Sequence, residues 1–192
     1  MQWKGILFGA ALTAAAFVAS GRVFSDDPPA GGPDPEMMKL MEPGPEHEIL
    51  KARVGEWEGK GTYQGMPWTS KMTGKMVMGG RFLQMDEEIT VPTPNGPLVM
   101  QMLAFVGYDR VQKKYVNIGI GSDSTAVMQS EGQHDAAKKW AEMRGVEHRP
   151  GGKDVPYRYT ISDVVDGASH MEWFADEGSG EQKMLVGDYK KK

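Results

Sequence analysis

From Glu56 to Tyr63 the chain alternates. Trp57, Gly59, Gly61 and Tyr63 are interleaved with Glu56, Glu58, Lys60 and Thr62. A period of two predicts a half-buried strand with an aromatic and glycine face and a charged face. The alternation recurs to the C-terminus in ten short runs, separated by nine turn signals such as Gly79-Gly80, Asn95-Gly96, Asp109–Lys113, Asp135–Lys138 and Asp166-Gly167. Glycine pairs of this kind suit hairpin turns that need positive φ. The Asp109 and Asp135 turns share one chemistry, an aspartate at the turn, two lysines at its exit and an aromatic (Tyr115, Trp140) opening the next run. Aspartate can hold such a turn by bonding its own backbone two residues on. No run after residue 56 has the length of a crossover helix, so parallel units are not expected. Ten antiparallel strands lose both edges by closing on themselves. The expected fold is all-β, a ten-stranded antiparallel up-and-down barrel with a short N-terminal helix, wide enough to leave room inside.

Helical spacing is confined to the stretch before residue 56. Glu36–Met41 can form a turn, stopped by Pro43-Gly44-Pro45. A second helix opens at Pro45, places Ile49, Leu50 and Val54 on one face with Glu46, Glu48, Lys51 and Arg53 outside, and ends at Gly55. Earlier still, Lys4 precedes an apolar run, Ile6–Ala19, and then the small residues Ala19, Ser20 and Gly21. That order is the pattern of a secretory signal peptide over residues 1–25, and the run is too short for a membrane span. Residues 26–35 are rich in Pro and Gly and read as an extended linker. The folded domain is then 36–192, and the expected location is outside the cytoplasm, periplasmic or secreted, with no stable membrane anchor once the signal is cleaved.

Composition narrows the function classes. Among 192 residues there is no cysteine, which removes disulfides, thiol nucleophiles and Cys-ligated metal sites. The net charge is −4, and loss of Lys4 and Arg22 with the signal makes the mature chain more acidic, which argues against nucleic acid as a partner. There are 15 methionines, a residue that fills irregular apolar space and recurs on adaptable binding surfaces.

Several short stretches occur together: Met41-Glu-Pro-Gly-Pro-Glu-His47, Val54-Gly-Glu-Trp-Glu-Gly59, Met78-Gly-Gly-Arg-Phe-Leu83, Gly107-Tyr-Asp109, Lys113-Lys-Tyr115, Ser130-Glu-Gly132 and Tyr189-Lys190. In this order they resemble the bacterial DUF1579 family over about residues 36–191. The resemblance implies a calycin- or lipocalin-like barrel closed at one end by the N-terminal helix, and it implies no particular reaction. Where the family usually carries Trp-Ile-Asp-Ser, this chain has Gly119-Ile-Gly-Ser122.

The candidate chemistry is sparse. His47, His134, His148 and His170 have no metal-motif spacing. His47 is expected to pack at the start of the second helix and bond backbone there, His134 to be exposed, and His148 to lie in a loop. His170 shares a strand face with Glu172 and Phe174 and is the strand-borne candidate for haem, a weak one. Met37, Met38, Met41 and His47 are thioether and imidazole donors of the kind that suit Cu(I). Neither group is expected, and no cofactor is assigned. In Asp86-Glu87-Glu88, the outer two residues share one face and Glu87 the other; a solvated strand end is the expected role. Met72, Met76 and Met78 share one strand face, as do Met100 and Met102. With Trp57, Phe82, Tyr108 and Trp173 they are expected to line a soft cavity. The candidate ligand-binding residues are therefore Trp57, Met76, Met78, Phe82, Met100, Met102, Tyr108 and Trp173. The leading expectation is a protein that binds a small hydrophobic or amphipathic molecule in its barrel. The alternatives are an enzyme at the barrel mouth using His170 or Asp86/Glu88, and a solid-cored interaction module.

Overall fold

The computed structural model describes residues 34–149 and 151–192. The expected signal peptide, and all but the last two residues of the expected linker, lie outside them. Two short helices, α1 (Pro35–Met41) and α2 (Glu46–Lys51), precede ten strands. These are β1 (Gly55–Tyr63), β2 (Met66–Val77), β3 (Phe82–Val91), β4 (Leu98–Asp109) and β5 (Lys114–Gly121), followed by β6 (Val127–Asp135), β7 (Trp140–Arg149), β8 (Lys153–Ser162), β9 (Ala168–Asp176) and β10 (Glu181–Lys191). Each strand pairs antiparallel with its neighbour in sequence, and β1 pairs with β10, so the sheet closes into a barrel. The expected fold is the observed one.

The period of two builds the wall. On β2, Trp68, Ser70, Met72 and Gly74 are buried and the residues between them exposed. Register carries that parity across strands: Trp57 opposes Met72, Met72 opposes Glu87, and Glu87 opposes Met102. The two Asp turns form as the sequence predicts. Asp109 Oδ1 accepts from the backbone N–H of Val111 and Gln112 at 2.9 Å. Asp135 Oδ1 does the same for Ala137 and Lys138 at 3.0 Å. Each turn ends on a lysine at φ 55°, Lys113 and Lys139.

Closure depends on two facing glycines, Gly61 on β1 and Gly187 on β10. The Trp68 ring lies over both. A Cβ at Gly61 would sit 1.9 Å from the Val186 carbonyl oxygen, and one at Gly187 would sit 2.6 Å from the Trp68 ring.

The capping helix is shorter than its periodicity predicts. α2 stops at Lys51, and the backbone N–H of Ala52 donates to the Glu48 carbonyl. Gly55 is the first residue of β1 rather than the residue ending the helix. Beyond Ala52 the helical face no longer applies, and Arg53, expected outside, is buried. Its guanidinium donates to Ser169 Oγ at 3.1 Å and to the Ser162 carbonyl at 2.5 Å. Leu50 enters the barrel end and packs with Leu83, Tyr115 and Met143. His47 is buried, and its Nδ1 accepts from the Gly44 N–H at 3.0 Å, as expected of it. Among the described residues no helix is long and apolar enough to cross a membrane.

Candidate functional site

The barrel interior is filled at the helix end and along one wall. At the helix end, the Leu50–Leu83–Tyr115–Met143 cluster leaves a cavity of about 70 Å³, bordered by Arg53 and Tyr159. That volume suits water rather than an organic ligand. A second cluster joins Val155, Tyr157, Ala175 and Met184 to Tyr63 and Trp173, and Tyr159 packs against both clusters. The wall formed by β3–β6 differs. Met85, Glu87, Ile89, Met100, Met102 and Met128 share the inward parity, yet each keeps accessible surface. Inward residues stay accessible only where no side chain covers them, so space lies against this wall. Gly119 is central to it, paired with Ala104 and Met128. A Cβ there would meet nothing nearer than Met128 Cε at 3.6 Å.

Polar atoms face the same interior. Glu87 on β3 accepts a hydrogen bond from the Tyr189 hydroxyl of β10 at 3.2 Å. Burial pushes the Glu87 carboxyl above its ordinary value. Burial, and then the neighbouring Glu87, push the Tyr189 phenol well up. The Trp68 indole N–H is buried with no protein partner, and so are the Trp173 indole N–H and Asn117 Oδ1; the Ser70 hydroxyl meets only the Glu87 carboxyl. A buried polar atom without a partner costs about 1–3 kcal/mol. Such atoms are uncommon in native interiors and are commonly met by water or ligand. Gly59 draws part of this cluster together, since the space of its absent Cβ is taken by Ser70 Oγ at 2.4 Å and by the Tyr189 ring at 2.8 Å.

Inward charges elsewhere are matched. Arg149 at the open end contacts Glu147 at 3.0 Å and Glu177 at 2.7 Å. At the helix end, burial presses the Arg53 guanidinium downward against the pull of Asp163. Asp163 also pairs with His134 at 2.8 Å, so His134 is a partly buried partner and not the exposed residue expected. Glu87 has the Tyr189 and Ser70 hydroxyls and, among the described residues, no cation. An ionised carboxylate in that place is penalised. Its contribution to stability is fully present below the ordinary carboxylate value and is lost as pH rises through its raised folded value. Glu87→Gln is therefore expected to be more stable than the parent at pH 8 and to lose that advantage at pH 4, as read from urea unfolding midpoints.

The sequence candidates divide by parity. Trp57, Met76, Met100, Met102, Tyr108 and Trp173 face inward. Of these, Trp57 is sealed at 1% exposure, and Met76 and Tyr108 pack against the helix-end cluster. Met100, Met102 and Trp173 retain accessible surface. Met78 and Phe82 are corrections. Met78 lies beyond the last paired residue of β2, in the turn, at φ 51° and 71% exposed. The Phe82 ring covers Gly107 on the outer face, where a Cβ would lie 2.5 Å from it. His170, Asp86 and Glu88 are also outside. His170 pairs with Asp188 at 2.8 Å, and Asp86 lies 3.9 Å from Lys75. His148 is on β7 and pairs with Asp154 at 2.7 Å. Among the described residues no three His, Asp or Glu side chains are grouped to hold a metal. Sequence reasoning passed over Glu87, Ser70 and Tyr189. The available signal was that Glu87 shares its face with Met85.

The model of one family, described as a protein of unknown function (DUF1579), matches residues 42–191. The chain belongs to the DUF1579 family. The match spans the barrel from the residue after α1 to the end of β10. No curated protein matches the chain. Gly119 and Gly121 both fall on the inward face of β5.

Proposed function

We propose that this DUF1579 protein is an exported binding protein that holds a small hydrophobic or amphipathic molecule inside its barrel. The observation that carries the reading is the unfilled, methionine-rich inner face of β3–β6, beside buried polar atoms that have no protein partner. Methionine adapts its shape to an apolar guest. A few convergent polar groups in a mostly apolar enclosure are the usual make-up of a small-molecule site. Export rests on the charged start, apolar run and small-residue exit of residues 1–25.

The test uses the neutral apolar dye N-phenyl-1-naphthylamine and native mass spectrometry of the purified protein. Saturable dye binding, or a retained small molecule, is expected in the parent. Gly119→Trp places an indole in the space and is expected to weaken dye binding at least tenfold while leaving the far-ultraviolet circular dichroism unchanged. Absence of both signals in the parent, or undiminished dye binding in a folded Gly119→Trp protein, would overturn the reading.

A further inference from the structure

We infer that the molecule held in the barrel carries an organic ammonium group, and that Glu87, helped by Ser70, receives it. The inference rests on the proposed binding function and names the chemistry of its ligand.

Buried charges in proteins are paired or bound to a counter-ion. Glu87 faces inward, and its partners are two neutral hydroxyls, Tyr189, which engages Oε1, and Ser70, neither of which brings a charge. The remaining lone pairs of the carboxylate are open to a donor. Among the described residues, none packed around it supplies a cation. β1 presents Trp57 and Gly59, β2 presents Ser70 and Met72, β4 presents Met102 and β10 presents Tyr189. The lysines of β2, Lys71 and Lys75, have the opposite parity and are exposed. Lys191 lies at the end of β10 over the Trp57 ring. Arg53 and Arg149 are committed to the partners already described.

A second feature beside Glu87 points the same way. Ser70 is only 6% exposed, and its hydroxyl has no partner other than the Glu87 carboxyl. It faces inward one register step from the Met72–Glu87 pair. A hydroxyl oxygen accepts from an ammonium as readily as a carboxylate does. The neighbouring wall is aromatic and soft. The Tyr189 ring packs on Trp68 at 5.9 Å between centroids, and Met72 and Met102 flank Glu87 in register. Aromatic faces attract organic cations, and the methionines accommodate the apolar tail. A carboxylate ligand would instead set two like charges together with no base between them.

Binding then has a proton signature. The carboxyl of the empty barrel is biased toward its protonated form by burial. An ammonium favours the ionised form, so association releases a proton. Affinity for the cation falls as pH drops through the raised Glu87 value. Tyr189, the other titratable group facing it, stays protonated throughout this range because its own value lies well above that of an ordinary phenol.

The experiment is isothermal titration of the full mature chain with octylammonium, octanol and octanoate at pH 8 and pH 5, in two buffers of different ionisation enthalpy. Octylammonium is expected to bind at least tenfold tighter than octanol at pH 8 and to release more protons on binding at the lower pH, with octanoate weakest. Glu87→Gln is expected to lower octylammonium affinity to that of octanol and to leave octanol within twofold. Ser70→Ala is expected to cost octylammonium two- to threefold. Octanol or octanoate binding as tightly as octylammonium, or a preference for the cation that survives in Glu87→Gln, would overturn the inference while leaving the binding function standing. Failure of all three ligands together with the neutral dye would overturn both.

Discussion

Trp57→Ala is expected to lower folding stability by about 3–5 kcal/mol, the range for removing a buried tryptophan. Trp57 is among the largest fully buried side chains described. It stands on the closing strand, opposite Met72 of β2 and Lys191 of β10, with the Lys191 ammonium over its ring across the seam. Its indole N–H also donates to the Arg53 carbonyl at 2.9 Å, tying the segment after α2 to the wall. The chain has no cysteine, so no covalent link offsets the loss. Domains are stable by about 5–15 kcal/mol in all, so one substitution of this size removes a large share. Trp57→Phe separates the two contributions. It keeps most of the ring volume and leaves the Arg53 carbonyl without its donor, at about 1–3 kcal/mol. Urea unfolding of both variants is the measurement. A loss below about 1 kcal/mol for Trp57→Ala would show that the seam is not held there.

The barrel was legible because its cause is local. A period of two makes a strand, a turn residue makes a hairpin, and a meander of ten has one economical way to hide its edges. Parity across a turn was less legible. Met78 continues the Met72–Met76 alternation in sequence, but pairing ends at Val77 opposite Phe82, and both of those side chains point outward. One residue past the last pair, the periodic argument had nothing to act on. The same failure hid Arg53, because the helix stopped at Lys51 and the next residues turned inward.

Glu87 was hidden for a different reason. In a run of three acids the solvated explanation is the common one, and it holds for Asp86 and Glu88. The middle residue takes the other face, which becomes interior only when β10 and β1 close the sheet and bring Tyr189 to it. Ser70 depends still more on distant residues. A serine between Trp68 and Met72 becomes a buried hydroxyl beside Glu87 because Gly59 leaves room for it and for the Tyr189 ring together. Sequence fixes parity within a strand, whereas the site depends on contacts made over more than a hundred residues.

Raising the pH from 9 to 11.5 is expected to remove at least about 4 kcal/mol of stability, about 2 kcal/mol from each of Tyr115 and Tyr159. Burial pushes the phenols of Tyr115 and Tyr159 up to about 12 from an ordinary value of 10.0. Tyr115 sits in the helix-end cluster with its hydroxyl on the Glu46 carbonyl at 2.9 Å, and Tyr159 joins the two core clusters. In the unfolded chain both phenols ionise near 10. Between 10 and 12 the unfolded state therefore binds fewer protons than the folded one. Stability from these groups is complete below pH 10 and is lost as pH rises toward 12. Tyr189, pushed further, adds to the slope in the same direction. Burial acts on Arg53 in the opposite sense, but a guanidinium keeps its proton across this range and contributes no slope. Urea unfolding at the two pH values, with phenolate absorbance near 295 nm followed in parallel, tests the account. Tyr159→Phe is expected to be less stable than the parent at pH 9 and to lose about 2 kcal/mol less on going to pH 11.5. A parent midpoint that does not move between the two values, or a Tyr159→Phe slope equal to the parent's, would mean that these phenols are reached by solvent in the folded barrel. The wall between the two core clusters would then be open rather than sealed.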